Sequence, residues 1–362
     1  MPMECPRSPL LSTGSVAMTD ALSSPLAAVD PALVEVTRGP LVESRHRGAV
    51  AVCTPAGELA AAWGDVDQRV FPRSAVKPLQ ALPLIETGAA DRFGLSSREL
   101  ALACASHSGQ PLHVQLVAAW LDQLGLGEGD LECGAHPPID PAAARALAAK
   151  GRQPSALHNN CSGKHSGMLT TALQMGEPTR GYIAADHPVQ QRVAAVLGEM
   201  AGSPPAATPF ATDGCGVPTF ALPLSGLATA MARLAEPSAL GQVRQAAAHR
   251  LRSAMAAHPD LVGGNGRLCT AVMRTAPKVL LKGGAEGVYA AMLPERGLGI
   301  AVKIDDGAGR AAEVAIMAVL HQFGAFTPAQ ERALRERFAP PVRNVAGKVV
   351  GELRPAAESF NR

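Results

Sequence analysis

Two segments far apart in the chain carry residues suited to opening an amide bond. Arg73-Ser74-Ala75-Val76-Lys77-Pro78 sets a serine three residues before a lysine, and Lys282-Gly283-Gly284 puts a second lysine ahead of a glycine pair. On a helix, positions i and i+3 share a face, so the Lys77 amine can stand beside the Ser74 hydroxyl without help from a distant loop. That spacing assembles a nucleophile and its base. A helix start at Ser74 also favours developing negative charge and offers free N–H groups to an oxyanion. To act as base, Lys77 must be neutral. An ordinary lysine near ~10.4 must come down to about 7, roughly 4–5 kcal/mol, through burial and a neighbouring positive charge. Lys282 is the candidate neighbour, and its glycines let a strand edge approach a substrate closely. The bland alternative is a surface lysine beside a turn.

Between these segments, Ala105-Ser106-His107-Ser108-Gly109 closes a helical stretch with two hydroxyls and an imidazole. They suit hydrogen bonding at the lip of a cleft, or equally a plain helix cap. Two further segments are densely polar: His158-Asn159-Asn160-Cys161-Ser162-Gly163-Lys164-His165 and Thr212-Asp213-Gly214-Cys215-Gly216. Their glycines suggest exposed turns. Two thiols with a histidine or lysine fit a nitrogen–sulfur metal site, for which zinc is the default. The spacing departs from common zinc fingers, with one cysteine on each side. A cysteine nucleophile activated by His165 or His158 is the rival, and two structural thiols the plain reading. Asp213, at a glycine-rich turn, is placed to grip an α-amino group. Arg38, Arg47 and Arg73 are available for an α-carboxylate, and sequence does not rank them. Glu35, Arg38, Glu43, Ser44 and His46 crowd polar groups into β-like segments; His46 joins Arg47, Arg73 and Asp213 in the candidate substrate set.

The elements that must hold these residues follow from periodicity. Leu33–Thr37, Val42–Cys53 and Glu58–Trp63 read as strands, with Pro55-Ala56-Gly57 as a hairpin turn. From Ser74 to about Cys215 the pattern is mostly helical. Ser96-Ser97-Arg98-Glu99 matches a capping box; Leu112–Leu124, Val189–Met200, Leu224–Leu234 and Gln242–Ala257 carry the 3.6-residue period. Leu268–Arg274, Val279–Leu281, Gly287–Leu293 and Leu298–Ile304 read as short β runs, and Arg310–Phe323 and Glu331–Phe338 as helices. The expected class is α+β: an antiparallel sheet flanked by helices and completed from both ends of the chain, with a mostly helical lobe inserted. On this reading 1–28 is a disordered leader, within which Met18 is a candidate start. Residues 29–73 and 263–362 build the sheet lobe, and 74–262 the helical lobe.

Composition excludes several function classes. Lys+Arg 33 against Asp+Glu 31 in 362 residues leaves no nucleic-acid footprint. No stretch approaches a membrane span, and the first residues lack the basic start and apolar run of a signal peptide. The expected location is cytoplasmic, with the seven cysteines reduced. Cys53, Cys104 and Cys269 are expected as small buried hydrophobes.

Taken in order, the segments resemble the rhizobial-type, or class 3, L-asparaginases of the asparaginase II family. Val34-Glu35-Val36-Thr37-Arg38-Gly39, Val42-Glu43-Ser44-Arg45-His46-Arg47-Gly48, Arg73–Pro78, Cys104–Gly109, His158–His165, Asp213–Pro218 and Lys282–Gly287 carry the likeness, which spans roughly 33–325. It implies a serine-β-lactamase-like fold used for side-chain amide hydrolysis of L-asparagine, usually as a homodimer. Also implied are two serine–lysine pairs, Ser74 with Lys77 and Ser106 with Lys282, either serine being the nucleophile. Zn2+ on Cys161, Lys164, Cys215 and water, and a substrate-contacting Asp213, complete the implied site. A zinc-containing glutaminase, a β-lactamase-like amidase and a zinc-dependent structural protein are the alternatives. Lys-Gly-Gly stands where β-lactamases have Lys-Thr-Gly, so one hydroxyl is missing.

Overall fold

Apolar and alternating runs from both ends of the chain meet in one eight-stranded antiparallel sheet. The computed structural model describes residues 30–203 and 209–360, so the expected leader at 1–28 lies outside the described residues. The strands are β1 Ala32–Arg38, β2 Leu41–Cys53, β3 Leu59–Trp63, β4 Leu280–Gly283, β5 Val288–Leu293, β6 Leu298–Ile304, β7 Pro341–Arg343 and β8 Val349–Pro355. Their order is β7-β8-β1-β2-β6-β5-β4, with β3 also on β2. The long strand β2 joins the two ends of the chain. Its first half pairs with β1, and its second half with β3 and β6.

Every residue of β5 is buried, which requires cover on both faces of the sheet. The helices Leu224–Ala235 and Gly309–Gln322 both pack on β5 and β6 and supply that cover. Between β3 and β4 the chain is predominantly helical. This is the α+β, serine-β-lactamase-like arrangement expected from the sequence.

One segment differs. Leu268–Arg274, read as a β run, lies in the helix Leu268–Thr275. Leu268, Cys269, Val272 and Met273 are buried while Arg274 is exposed, a 3.6-residue face too short to stand out among β-prone Val, Thr and Cys.

The helix Ser162–Met175 brings the thiol segment to the serine loop. It crosses the Ser97–Ala103 helix so tightly that a Cβ on Gly163 would lie 2.3 Å from the Leu102 carbonyl oxygen. Gly163→Ala therefore has to push two backbones apart. We expect a loss of about 1–3 kcal/mol, read as a lowered denaturant midpoint with unchanged slope.

Candidate active site

Ser74 lies in a 3-10 turn, Arg73–Val76, which leads directly into the short helix Lys77–Gln80. The turn starts under strain: Arg73 has φ +50°, a left-handed conformation that costs a non-glycine residue about 1–3 kcal/mol. Its side chain is tied off, with both Nε and Nη2 2.7 Å from Asp213 Oδ1. Asp213 sits at the end of a small hairpin, Phe210–Thr212 with Pro218–Phe220, and its Oδ1 also accepts the Gly214 N–H at 2.7 Å. Burial pushes the Asp213 carboxyl up, but the charges of Lys164 and Arg73 outweigh it and hold the group below its usual range.

Lys77 does not bond the serine three residues before it. Its Nζ donates to the Ala105 carbonyl at 2.5 Å, to Ser106 Oγ at 3.1 Å and to the Asn160 carbonyl at 3.3 Å. Lys282, at the end of β4, donates to the same Ser106 Oγ at 2.8 Å and to the Gly283 carbonyl at 2.7 Å. Ser106 is thus the hydroxyl shared by both lysines, in a pocket where Lys77 is 0% and Lys282 2% exposed. Burial, followed by the nearby Lys77 charge, brings the Lys282 amine down to about 7. Ser74, by contrast, is half-buried and its hydroxyl has no hydrogen bond among the described residues.

The Ser106 loop is pinned from several sides. Its N–H donates to the Val262 carbonyl, and the His107 N–H to Asn160. The His107 ring bonds Ser162 Oγ at 2.8 Å and accepts the Gly109 N–H; burial holds this imidazole well below its ordinary range.

Both glycines after Lys282 are dictated by packing. A Cβ on Gly283 would meet the Tyr289 ring at 2.9 Å, so the ring leaves no room for a side chain there. A Cβ on Gly284 would lie 2.6 Å from the Pro72 carbonyl oxygen and 3.4 Å from the Ala75 nitrogen, which means the lysine strand rests on the turn that holds Ser74. Gly284→Ala is expected to separate Lys282 from Ser74 and to cut turnover by about 10²-fold, the cost of a misplacement near 1 Å. Steady-state kinetics beside a thermal melt checks this, and a loss confined to stability would count against it.

Cys161 and Cys215 are each 4% exposed, and Cys161 directly precedes the buried Ser162–Met175 helix. Cys161 is therefore not at an exposed turn, since the glycines after it serve close helix packing; Cys215 does lie in the glycine turn of the hairpin, beside the exposed Gly214, with its thiol turned inward. Lys164 Nζ donates to Cys215 Sγ at 3.0 Å. A hydrogen bond from Cys215 draws the Cys161 thiol well below its ordinary value, with Lys77 and Lys164 adding to the effect against burial; Cys215 is raised in exchange. Burial opposes the charge on Lys164, yet the thiol pair and Asp213 hold that amine above the usual lysine range. Two thiols and an amine are a donor set zinc accepts, provided that the metal displaces the Lys164 proton. No group of three His, Cys, Asp or Glu fit for a metal occurs among the described residues. His165 Nδ1 bonds Tyr182 Oη at 2.7 Å and His158 Nδ1 bonds Ser155, so neither histidine touches a thiol. Cys53, Cys104 and Cys269 are buried, as expected.

The remaining members of the candidate set are placed elsewhere. His46 bonds Asp306 at 2.6 Å, and Arg47 donates to the Asp30 carbonyl at 2.9 Å. Arg73 is the arginine that reaches Asp213. Tyr289 was not legible as a site residue, because nothing in the sequence pairs it with Gly283 before the strands are registered.

The family model for L-asparaginase II matches residues 34–355, which takes in every residue of the serine–lysine cluster. The chain belongs to the L-asparaginase II family. No curated protein matches it. Among solved structures it is similar to Mglu in its tris and glutamate form, at 15% identity and TM-score 0.45, covering 83% of this chain and 64% of that one. A β-lactamase from Mycobacterium bovis is similar at 16% identity and TM-score 0.38, over 76% of this chain and 94% of that one. The chain thus spans 64% of the Mglu chain. No helix among the described residues is long and apolar enough to cross a membrane.

Proposed function

We propose that this L-asparaginase II family member releases ammonia from L-asparagine, with Ser74 as nucleophile. The observation that carries the reading is the shared hydroxyl of Ser106, held at 3.1 Å from Lys77 and 2.8 Å from Lys282 beside the more accessible Ser74. A buried hydroxyl between two amines suits proton relay, whereas a nucleophile must reach its substrate.

The Arg73–Asp213 pair borders Ser74 and matches the two charges of a free amino acid. The α-amino group goes to the open Oδ2 of Asp213 and the α-carboxylate to Arg73. Ser74 Oγ then attacks the side-chain amide carbon and gives its proton to the Lys77–Ser106–Lys282 chain, in which the neutral Lys282 amine accepts it. The C–N bond breaks, and the same chain returns that proton to the departing ammonia. Water hydrolyses the resulting ester, giving L-aspartate and freeing Ser74. Cys161, Lys164 and Cys215 would hold zinc, which when bound supplies a fixed positive charge beside the Asp213 turn.

The test is ammonia release from L-asparagine and L-glutamine, with and without added zinc. Turnover of L-asparagine is expected. Glutamine differs by one methylene, worth about 1–3 kcal/mol or 10–200-fold. No ammonia from either amide sinks the proposal, and nitrocefin turnover in its place would assign a lactam substrate.

A further inference from the structure

Behind the serine loop lies a cavity of about 250 Å³ that the chemistry above does not use. Val114, Pro138, Ala143 and Leu147 supply apolar lining, and Gln115, Lys150, Arg152 and His158 the polar lining. No carboxylate lines it. Among the described residues neither Lys150 nor Arg152 has a side-chain hydrogen bond or ion pair. His158 is only 8% exposed, and its Nδ1 accepts the Ser155 N–H at 3.1 Å. The ring proton is therefore on Nε2, which has no protein partner among the described residues. Three unpaired nitrogen donors and the Gln115 amide face the apolar lining, with no carboxylate among them.

We propose that this cavity binds a small carboxylate carrying a compact apolar group. The carboxylate bridges Arg152 and Lys150 and accepts the His158 Nε2–H; the apolar group packs on Val114, Pro138 and Leu147. An uncharged molecule leaves these cations unpaired, and a bare inorganic anion leaves the apolar wall wet.

The cavity has a mechanical connection to the serines. One of its walls is the helix Pro141–Ala149, none of whose residues is buried. The residue that caps this helix, Asp140, donates its N–H to the Ser108 carbonyl at 2.9 Å and accepts from Gln110 at 3.2 Å. From the other side, a Cβ on Gly109 would lie 3.0 Å from Pro138 and 3.2 Å from the His158 carbonyl oxygen. A ligand that packs this helix down stiffens the Ser106–Gln110 loop.

Titration calorimetry with phenylacetate, phenylacetamide and acetate tests the site directly. Phenylacetate should saturate the wild-type protein and bind at least tenfold more tightly than either analogue. Lys150→Gln with Arg152→Gln, at exposed positions outside the serine–lysine cluster, should weaken it at least tenfold and leave basal ammonia release unchanged. Ala143→Leu should block it by filling the cavity. Hydrogen exchange at Ser106–Gln110 should slow when phenylacetate binds. Equal binding of acid and amide, no binding, or an affinity within twofold in the double variant overturns the site; saturation without slowed exchange overturns its coupling to the loop. These readouts need no turnover, so they stand apart from the assignment of L-asparagine as substrate.

Discussion

Ser74→Ala is expected to lower kcat for ammonia release from L-asparagine by at least ~10⁴-fold, because loss of the attacking oxygen removes the covalent route altogether. Ser106→Ala should cost less, about 10²–10³-fold, since proton transfer contributes on that scale and water can enter the space of the lost hydroxyl. The ranking rests on access and partners. Ser106 is 5% exposed and already committed to two lysines, whereas Ser74 is half-buried and borders Arg73 and Asp213. Mass spectrometry after rapid acid quench adds a second readout, in which the acyl group should be trapped on the peptide containing Ser74. Label on the Ser106 peptide, or Ser74→Ala activity within tenfold of wild type, would reverse the roles.

Lys282→Met should change how stability depends on pH. The Lys282 amine sits at about 7 in the folded protein, against ~10.4 for an unfolded lysine. Between those values the unfolded chain binds more protons than the folded one, so stability rises with pH across this window. The gap corresponds to about 4–5 kcal/mol, present as a penalty below pH 7 and gone above ~10.4. Methionine fills a similar volume without titrating. Its stability relative to wild type should therefore be greatest near pH 6–7 and fall by about 4–5 kcal/mol towards pH 10.5. Urea titrations at pH 6, 8 and 10 read this directly. A difference that does not vary with pH would show that Lys282 keeps its proton in the fold. The constant part of the difference includes the lost bonds to Ser106 and Gly283.

The groups that meet at Ser106 were visible in the sequence as types and as an order, and their contacts were not. Ser74, Lys77, Ser106 and Lys282 each stand in a recognisable run, yet helical spacing paired Ser74 with Lys77 when the lysine in fact turns towards Ser106. That choice depends on the Ala105 and Asn160 carbonyls, which reach Lys77 only through tertiary packing. Cys161 departs from the exposed turn expected of it because glycine signals both turns and close helix crossings, and Gly163 is of the second kind, whereas the glycines around Cys215 do form a turn. Most helices and strands followed from periodicity. Leu268–Thr275 did not, since two helical turns leave too few apolar positions to separate one period from the other. The closing strand β8 carries Glu352 and Arg354 on a largely half-exposed run, so hydropathy hardly marks it.

Strand β2 bridges segments from both ends of the chain, and this has a consequence for how the protein comes into being. Ser106 and Lys282 are 176 positions apart, and β4 is held in place through β5 and β6. β1, made first, waits for β8, made last. Contacts of such long range close slowly, because the loops between them must be ordered first. A nascent chain can thus complete its helical middle while its two lysines are still apart. Catalytic competence should appear only after β4, β5 and β6 have been made and have docked on β2.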